Sequence, residues 1–360
     1  MKTKKYKLTE ETINVAGSTL YRIEALKDFG IVKKGDKGGY VENESNLYQG
    51  GDCWIGGNAK VYDNAKVYDD AVIYDDAQVR NKAKVSGEAV VFGNAEIFGN
   101  AVVRDNAKVY NYAQVYSNAE IYGNAQVYGE AWVYDNAMVY GDAMVYGDAS
   151  VFGASVSDNA EVYGNAKVNG NAEVNGEAVV FGNAEVYANA KVRDNAKVYN
   201  NAVVCGYAII SGNAIISGNA EVYGNAQIFG NAIVYGDARV YGKTEVYGNA
   251  QIFGNAIVYG NAEICGDARV YDDVKVRDNA VVFGNAEICG DAIITSKSDY
   301  ILFKNWWSSG RHFTWTRSNN MWKVGCFYGT GEQLIEKAYN DSEKSGREYE
   351  KIVRYTETVN

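Results

Sequence analysis

The sequence contains no proline in 360 residues, only one histidine, and only 22% charged residues. The absence of proline excludes proline-rich linkers and collagen-like segments, and a hydrophobic content of 47% excludes an intrinsically disordered chain. No apolar run approaches the roughly 18 residues that a membrane-spanning helix needs, and no apolar segment follows the lysine-rich start. We therefore expect a folded, soluble, cytoplasmic protein with no membrane partner.

Residues that carry chemistry are equally sparse. The five cysteines are widely spaced and form no CxxC pair, so they predict neither a disulfide framework nor a zinc site. His312 is the single histidine, which leaves residues 1–311 without a histidine general base. No P-loop, G-x-S-x-G motif or metal-binding cluster is present. We expect no catalytic residue, no metal and no cofactor.

The chain consists mainly of one six-residue unit. The pattern A-x-[VI]-[YF]-[GD]-[ND] runs in phase from Ala59 to Ala149 and again from Ala154 to Ala292. Ala occupies 38 of the 40 first positions, and Val or Ile occupies every third position. Two restricted positions among variable ones indicate a packed interior and an exposed exterior.

A period of six excludes helical repeats and pentapeptide solenoids. In the order V-Y-G-N-A-x, the unit predicts a short strand with Val or Ile inward, the next side chain outward, and a corner at Gly-Asn where left-handed backbone angles are tolerated. Three strands close a triangular coil, and successive coils stack about 4.8 Å apart through parallel hydrogen bonds. The repeats then make about 13 coils and a rod about 60 Å long.

The V-Y-G-N-A pattern resembles the hexapeptide repeat of left-handed parallel β-helices, which share its aliphatic first and small fifth positions. The chain departs from that family at the second position, where it has Tyr or Phe instead of small or acidic residues. The resemblance implies the left hand of the coil. The predicted fold class is therefore all-β: a single-chain left-handed parallel β-helix with an N-terminal cap and a small α+β C-terminal module.

Three regions are predicted along the chain: an N-terminal cap with degenerate first units at 1–57, the β-solenoid at 58–295, and a tryptophan-rich α+β module at 296–360. Both ends of a solenoid need such caps, because an end coil leaves strand edges and an apolar face uncovered.

The N-terminal cap is predicted to hold an apolar strand from Leu20 to Leu26, a glycine-rich turn at 34–39, and degenerate units around Leu47 and Ile55. Its segments LYRIEALKDFG and KKGDKGGYVENESNLYQGGDCWI resemble the start of a phage- and prophage-associated group of hexapeptide-repeat proteins, some labelled as transferases. The resemblance covers the first 57 residues and the repeats, and it does not supply a function.

In the C-terminal module, strands are predicted at Tyr300 to Phe303, Phe313 to Thr316 and Met321 to Tyr328. A turn at Gly329 to Gly331 opens the first of two amphipathic helices. The module is similar to a C-terminal module of phage-type proteins that has no firm activity.

The repeat slips by one residue at Phe152-Gly153-Ala154, and we expect that corner to be tightened without changing the order of strands. The outward second positions then form three ladders, of which one is aromatic at 11 of 13 positions. That ladder consists of Tyr74, Phe92, Tyr110, Tyr128, Tyr146, Tyr163, Phe181, Tyr199, Tyr235, Phe253 and Tyr271. Two interpretations stand: stacked rings stabilise the parallel strands, or the face is a contact surface, most simply for a second copy.

Charge is concentrated in the repeats, where 29 acidic residues outnumber 16 basic ones. This sign disfavours direct binding of nucleic acid by the solenoid. Imitation of DNA is an alternative, but the predicted charge density of about one per 5 Å is well below the one per roughly 1.7 Å of duplex DNA. The simpler interpretation is that the charge keeps an aromatic-rich surface soluble.

One segment of the module combines arginine, histidine and tryptophan in a way that suits a phosphate, a base or a peptide carboxylate. The candidate ligand or partner site consists of Trp306, Trp307, Arg311, His312, Trp315, Arg317 and Trp322. The alternative is that the tryptophans form the core of a small domain and seal the last coil.

These features predict a non-enzymatic, phage- or prophage-type scaffold or binding protein that self-associates through its aromatic face and selects partners with its C-terminal module. Three alternatives remain. The first is a counter-defence inhibitor or sponge that binds a host protein or a nucleotide signal. The second is an acyltransferase, as implied by the fold resemblance, and the third is a virion or tail component.

Overall fold

The computed structural model describes residues 4–358, in two compact units, Met1–Asp194 and Asn195–Asn360. The first unit holds an antiparallel hairpin followed by solenoid coils, and the second holds further coils followed by an α+β module. The predicted boundaries after residues 57 and 295 stay a prediction. No helix between residues 4 and 358 combines the length and apolar character needed to cross a lipid bilayer.

Each repeat of the first unit forms a short strand that pairs in parallel with the strand one coil away, as Val72 does with Val90. The predicted coil of three six-residue units is thereby confirmed, because paired residues lie 18 positions apart. The aromatic face consists of Trp54–Ile55, Val72–Ile73, Val90–Val91, Lys108–Val109, Gln126–Val127, Met144–Val145, Glu161–Val162 and Val179–Val180. The second face consists of Lys60–Val61, Gln78–Val79, Glu96–Ile97, Gln114–Val115, Trp132–Tyr134, Ser150–Phe152, Lys167–Asn169 and Glu185–Val186. The third face consists of Lys66–Val67, Lys84–Val85, Val102–Val103, Glu120–Ile121, Met138–Val139, Ser155–Val156, Glu173–Val174 and Lys191–Val192.

The second unit repeats this arrangement, again with parallel pairing such as Ile233 with Gln251. Its aromatic face consists of Lys197–Val198, Ile215–Ile216, Ile233–Val234, Gln251–Ile252, Arg269–Val270 and Glu287–Ile288. Its second face consists of Val203–Val204, Glu221–Val222, Arg239–Val240, Ile257–Val258, Lys275–Val276 and Ile293–Ile294. Its third face consists of Ile209–Ile210, Gln227–Ile228, Glu245–Val246, Glu263–Ile264 and Val281–Val282.

The interior and the corners follow the repeat as predicted. The Val or Ile and the Ala of each unit are buried, as Val127 and Ala125 are, with no exposed surface. The corner residue takes a left-handed conformation, with φ of 69° at Gly93 and 58° at Asp69. A Cβ on Gly93 would lie 2.9 Å from the backbone nitrogen of Asn111 in the next coil, so glycine also suits the close stacking of corners.

The shortened corner at residues 152–154 preserves the order of the strands in the first unit. Met138 pairs with Ser155, and Met144 pairs with Glu161, so each strand finds its partner although one residue is missing between them. The prediction that this corner is tightened is confirmed.

The N-terminal cap begins with an antiparallel hairpin, β1 (Tyr6–Val15) and β2 (Ser18–Ala25). Strand β3 (Lys37–Val41) pairs antiparallel with β2 and parallel with Lys60–Val61, so it connects the hairpin to the coils. The predicted turn at 34–39 is therefore wrong at Lys37, Gly38 and Gly39, which lie inside β3. Glycine is required there because a Cβ on Gly39 would collide with the carbonyl oxygen of Ala59.

A buried lysine next to the start of β1 forms hydrogen bonds with the backbone of the first coils. Lys5 is 1% exposed, and its Nζ donates hydrogen bonds to the carbonyl oxygens of Gly50, Gly51 and Cys53 at 3.1, 3.2 and 2.8 Å. The ammonium group also lies over the ring of Phe29. Strand β1 was not predicted from the sequence, because the polar residues at 9–12 interrupt the alternating pattern of a half-buried strand.

The C-terminal module contains a four-stranded antiparallel sheet of Tyr300–Lys304, His312–Thr316, Met321–Val324 and Phe327–Gly329. Helices α1 (Gly331–Asp341) and α2 (Glu343–Thr358) follow. The single strand predicted from Met321 to Tyr328 is wrong, because the chain turns at Gly325, where φ is 56°, and pairs back on itself. Thr330 caps α1 with a capping box.

These observations confirm the predicted fold class: an all-β parallel β-helix with three strands in each coil, an N-terminal cap and a small α+β module. The architecture is consistent with the left-handed β-helix that the repeat resembles.

Candidate interaction surface

The predicted aromatic ladder exists as a continuous stack of rings in the first unit. Consecutive rings from Tyr74 to Phe181 are nearly parallel, with centroids 4.8 to 5.0 Å apart. Each ring covers the faces of its neighbours and is therefore half-buried, and only its edge and hydroxyl point outward. The predicted stacking of the rings is thereby confirmed, and the use of the face as a contact surface stays a prediction.

Several ladder hydroxyls bind side chains of the same face. The Tyr146 hydroxyl donates to Glu161 Oε2 at 2.9 Å, and the Tyr110 hydroxyl donates to Gln126 Oε1 at 3.3 Å. Burial between neighbouring rings raises the pKa of Tyr110 and Tyr128, and it raises the pKa of Tyr146 further together with the Glu161 carboxylate. These phenols stay protonated at neutral pH, so the stack itself carries no charge.

The side chains beside the rings are mostly uncharged. The outward position preceding each inward residue belongs to Val72, Val90, Gln126, Met144 and Val179, with charges only at Lys108 and Glu161 between residues 72 and 180. At the N-terminal end of this face, Trp54 is 7% exposed and packs edge-on against Phe29. The cap thus covers the first strand and leaves the following strands as a flat apolar strip.

In the second unit the aromatic face carries a shorter stack. Tyr235, Phe253 and Tyr271 lie 4.8 and 4.7 Å apart. Tyr199 takes the same outward place on its strand, but Ser217 stands between it and Tyr235. Lys323 of the C-terminal module approaches the Tyr271 ring at 5.9 Å. The ladder of this unit is therefore interrupted by a serine and partly covered at its last ring.

The second and third faces of the first unit also hold stacked rings, so stacking alone does not distinguish the aromatic face. Phe98, Tyr116, Tyr134 and Phe152 stack on the second face, and Tyr122 with Tyr140 on the third. Arg80 lies over Phe98, and Arg104 over Tyr122, each at 4.1 Å. The aromatic face of the first unit differs because no arginine caps its stack in the described chain.

Asparagine ladders at the corners were missed in the sequence. The side-chain amide of Asn100 donates to Asn118 in the next coil at 2.9 Å, and Asn213 donates to Asn231 at 3.0 Å. The signal was available, because asparagine follows glycine at the same phase of successive coils. These contacts satisfy the amides between coils and stabilise the stacking of corners.

The candidate ligand residues of the C-terminal module do not share one environment. Trp307, Trp315 and Trp322 are buried with Phe313, Leu334 and Val353 in the core of the module. In contrast, Trp306 is 72% exposed, and Arg311, His312 and Arg317 are exposed as well. The core interpretation therefore holds for three tryptophans, and ligand binding by the exposed residues stays a prediction.

One polar atom of this module stands out. The indole Nε1 of Trp307 is buried and has no hydrogen-bond acceptor in the described part of the chain. The Nε1 of Trp315, by comparison, donates a hydrogen bond to Asn320 Oδ1 at 2.9 Å. An unpaired buried donor costs free energy, and Trp307 lies directly beside the exposed Trp306 ring.

An open groove beside the first coils was also not predicted. It has a volume of about 580 Å³ and is lined by residues that include Leu47, Tyr48, Lys66 and Tyr68. Tyr48 is 60% exposed at its rim.

Between residues 4 and 358, no group of three His, Cys, Asp or Glu side chains is placed to hold a metal ion.

The ladder predicts the effect of removing its central rings. Replacing Tyr110, Tyr128 and Tyr146 together with Ser removes four stacked ring contacts, each worth about 0.5–1.5 kcal/mol. We expect the free energy of unfolding to fall by roughly 2–6 kcal/mol and self-association to weaken, while far-UV circular dichroism at 10 °C keeps its native shape. Complete unfolding would instead assign the ladder a purely structural role.

One comparison with known proteins agrees with the fold. A family model described as the YdcK beta solenoid repeat matches residues 131–147, 226–242 and 250–263. No curated protein sequence matches the chain. Among solved structures, the chain is similar to UDP-N-acetylglucosamine O-acyltransferase (LpxA) from Moraxella catarrhalis RH4, with 14% identity over 75% of this chain and 93% of that chain and a TM-score of 0.23. The family match supports a β-solenoid repeat protein.

Proposed function

We propose that this chain is a non-enzymatic scaffold or binding protein of the phage or prophage type, which self-associates through the aromatic face of its first unit. The observation that carries the proposal is the flat, nearly uncharged strip of stacked ring edges from Tyr74 to Phe181. Interface cores are enriched in aromatic residues and depleted of charge, whereas this solenoid is acidic elsewhere. A protein that keeps one face apolar gains an attachment surface by doing so.

Partner selection by the C-terminal module is the second part of the proposal. The exposed ring of Trp306 and the exposed side chains of Arg311 and His312 in the same segment support it. Tryptophan is prominent at the centres of protein interfaces, where a large ring and a polar tip are both used.

Sedimentation velocity over a range of concentrations tests self-association. In one variant, lysine replaces both Val90 and Val179. We expect this variant to be monomeric at concentrations at which the wild-type chain forms an oligomer. Lysine occurs naturally at this position of the repeat, as at Lys108, so both substitutions suit the fold. The matched control is Val102→Lys with Met138→Lys on the third face, which adds the same charge and should leave the oligomer intact.

A wild-type chain that stays monomeric at every concentration contradicts the proposal. Native mass spectrometry of the tagged protein from its host lysate then separates the alternatives. A homo-oligomer without cargo supports a scaffold. A bound host protein or nucleotide would identify an inhibitor or sponge, and bound acyl-CoA would identify a transferase.

A further inference from the structure

Six consecutive strands of the aromatic face in the first unit carry a pattern that reads similarly in both directions. The outward residues that precede the inward ones are Val90, Lys108, Gln126, Met144, Glu161 and Val179. The pattern is apolar, charged, uncharged, uncharged, charged and apolar, and the two charges are opposite. Lys108 lies one coil before Gln126, and Glu161 lies one coil after Met144. The two charges are therefore equally distant from the midpoint between Gln126 and Met144.

The rings of the same six coils are symmetric about the same midpoint. In chain order they are Phe92, Tyr110, Tyr128, Tyr146, Tyr163 and Phe181, with phenylalanine at both ends and tyrosine between. The tightened corner at 152–154 does not disturb this symmetry, because Met144 pairs with Glu161 in the normal order.

Both charged groups are available for contact. Glu161 is held on the face because its carboxylate accepts the hydrogen bond from the Tyr146 hydroxyl at 2.9 Å. Lys108 is exposed and takes part in none of the ion pairs found within the described chain. The strip therefore carries one fixed anion and one cation that lacks an anionic partner.

A two-fold contact between identical faces brings residue i of one copy to residue j of the other, and j to i. We place the two-fold axis between Gln126 and Met144. In each copy, Lys108 then lies opposite the partner subunit's Glu161, so the interface contains two such ion pairs. Val90 lies opposite the partner subunit's Val179, and phenylalanine lies opposite phenylalanine. A shift by one coil moves the partner by about 4.8 Å and places both charges opposite uncharged side chains. An axis at Lys108 itself would bring two lysines together.

Resting on the self-association proposed above, we infer that two copies pair through this strip in one antiparallel register, fixed by two symmetric ion pairs between Lys108 and the partner subunit's Glu161. Six coils span about 29 Å, a strip at the small end of protein interfaces, so the dimer forms reversibly and depends on concentration. The ion pairs select the register, and the ring edges and aliphatic side chains supply the apolar contact.

Charge reversal in the intact chain tests the register. Lys108→Glu places two pairs of carboxylates together across the interface, and Glu161→Lys places two pairs of ammonium groups together. We expect each variant alone to raise the dissociation constant about tenfold or more, as measured by sedimentation equilibrium. An equimolar mixture of the two variants should form a heterodimer near wild-type affinity, because each carboxylate then faces an ammonium group. The double variant K108E/E161K should form a homodimer of similar affinity for the same reason.

The matched control is Lys84→Glu on the third face, which should leave the dimer unchanged. Both lysine and glutamate occur naturally at this position of the repeat, and unchanged melting temperatures verify that the variants are folded. Dimerisation that weakens with Val90→Lys and Val179→Lys but not with either charge reversal overturns the register and leaves the proposed function standing. A wild-type chain without any dimer overturns both, and failure of the mixture to reassociate overturns the antiparallel pairing.

Discussion

Val127→Asp is expected to abolish the soluble, cooperatively folded first unit. Val127 has no exposed surface and lies between Val109 and Val145 of the adjacent coils. A carboxylate there is surrounded by aliphatic side chains with no cationic partner, which costs several kcal/mol. Because each coil is stabilised mainly by its neighbours, the defect spreads to the coils on both sides. Thermal unfolding followed by circular dichroism, together with the soluble yield, measures the effect.

The control for this prediction is the adjacent residue. Gln126 precedes Val127 on the same strand but points outward, so Gln126→Asp introduces the same charge at the surface and should shift the unfolding free energy by only about 0.5 kcal/mol. Full solubility of Val127→Asp with an unchanged melting temperature would contradict the inward assignment of the third repeat position.

Trp315→Ala is expected to destabilise the C-terminal module by about 3–5 kcal/mol. Trp315 is fully buried, packs against Trp322, and donates its indole N–H to Asn320. Its truncation leaves a large cavity and an amide oxygen without its donor. The loss is measured by urea unfolding of the full chain, with tryptophan fluorescence reporting mainly on the module, which holds four of the six tryptophans.

Trp306→Ala provides the contrast within the same segment, because the Trp306 ring is 72% exposed. We expect it to change the unfolding free energy by no more than about 0.5 kcal/mol. If Trp306→Ala destabilises the module as strongly as Trp315→Ala, the separation between core and surface tryptophans is wrong.

The repeat made the coils predictable from sequence because one constraint recurs at every turn. A position such as Val127 must fill the same interior as Val109 and Val145, and a corner such as Gly93 must take the same backbone angles as its neighbours. The spacing of six then assigns each side chain to the interior, a face or a corner. This reasoning extended to the shortened corner, where strand order was predicted correctly.

Prediction was poorer where a residue is constrained by contacts that occur only once. Lys5 is buried because it meets three carbonyl oxygens of the first coils, and no local pattern announces such a contact. Gly39 lies in a strand because Ala59 approaches its backbone closely, whereas glycine in a sequence usually indicates a turn. In the terminal module, the turn at Gly325 divides a segment whose composition alone favours one strand.

The aromatic residues illustrate an intermediate case. The sequence assigned Tyr110, Tyr128 and Tyr146 to one face, but it could not decide whether stacked rings only stabilise the strands or also form a contact surface. Their stacking follows from the spacing between coils, which is close to the optimal separation of offset aromatic rings. The same geometry half-buries the rings and leaves their edges as the surface that a partner would meet.

The shortened corner at residues 152–154 also bears on how such a chain tolerates changes in length. Loss of a single residue at a corner leaves the following strands of the first unit on their original faces, as the pairing of Met144 with Glu161 demonstrates. Loss of a whole six-residue unit would turn all later side chains by one third of a revolution and divide the aromatic ladder between two faces. Small errors of length are thus absorbed locally, whereas deletion of one complete repeat, which looks harmless in the sequence, would destroy the continuity of the surface.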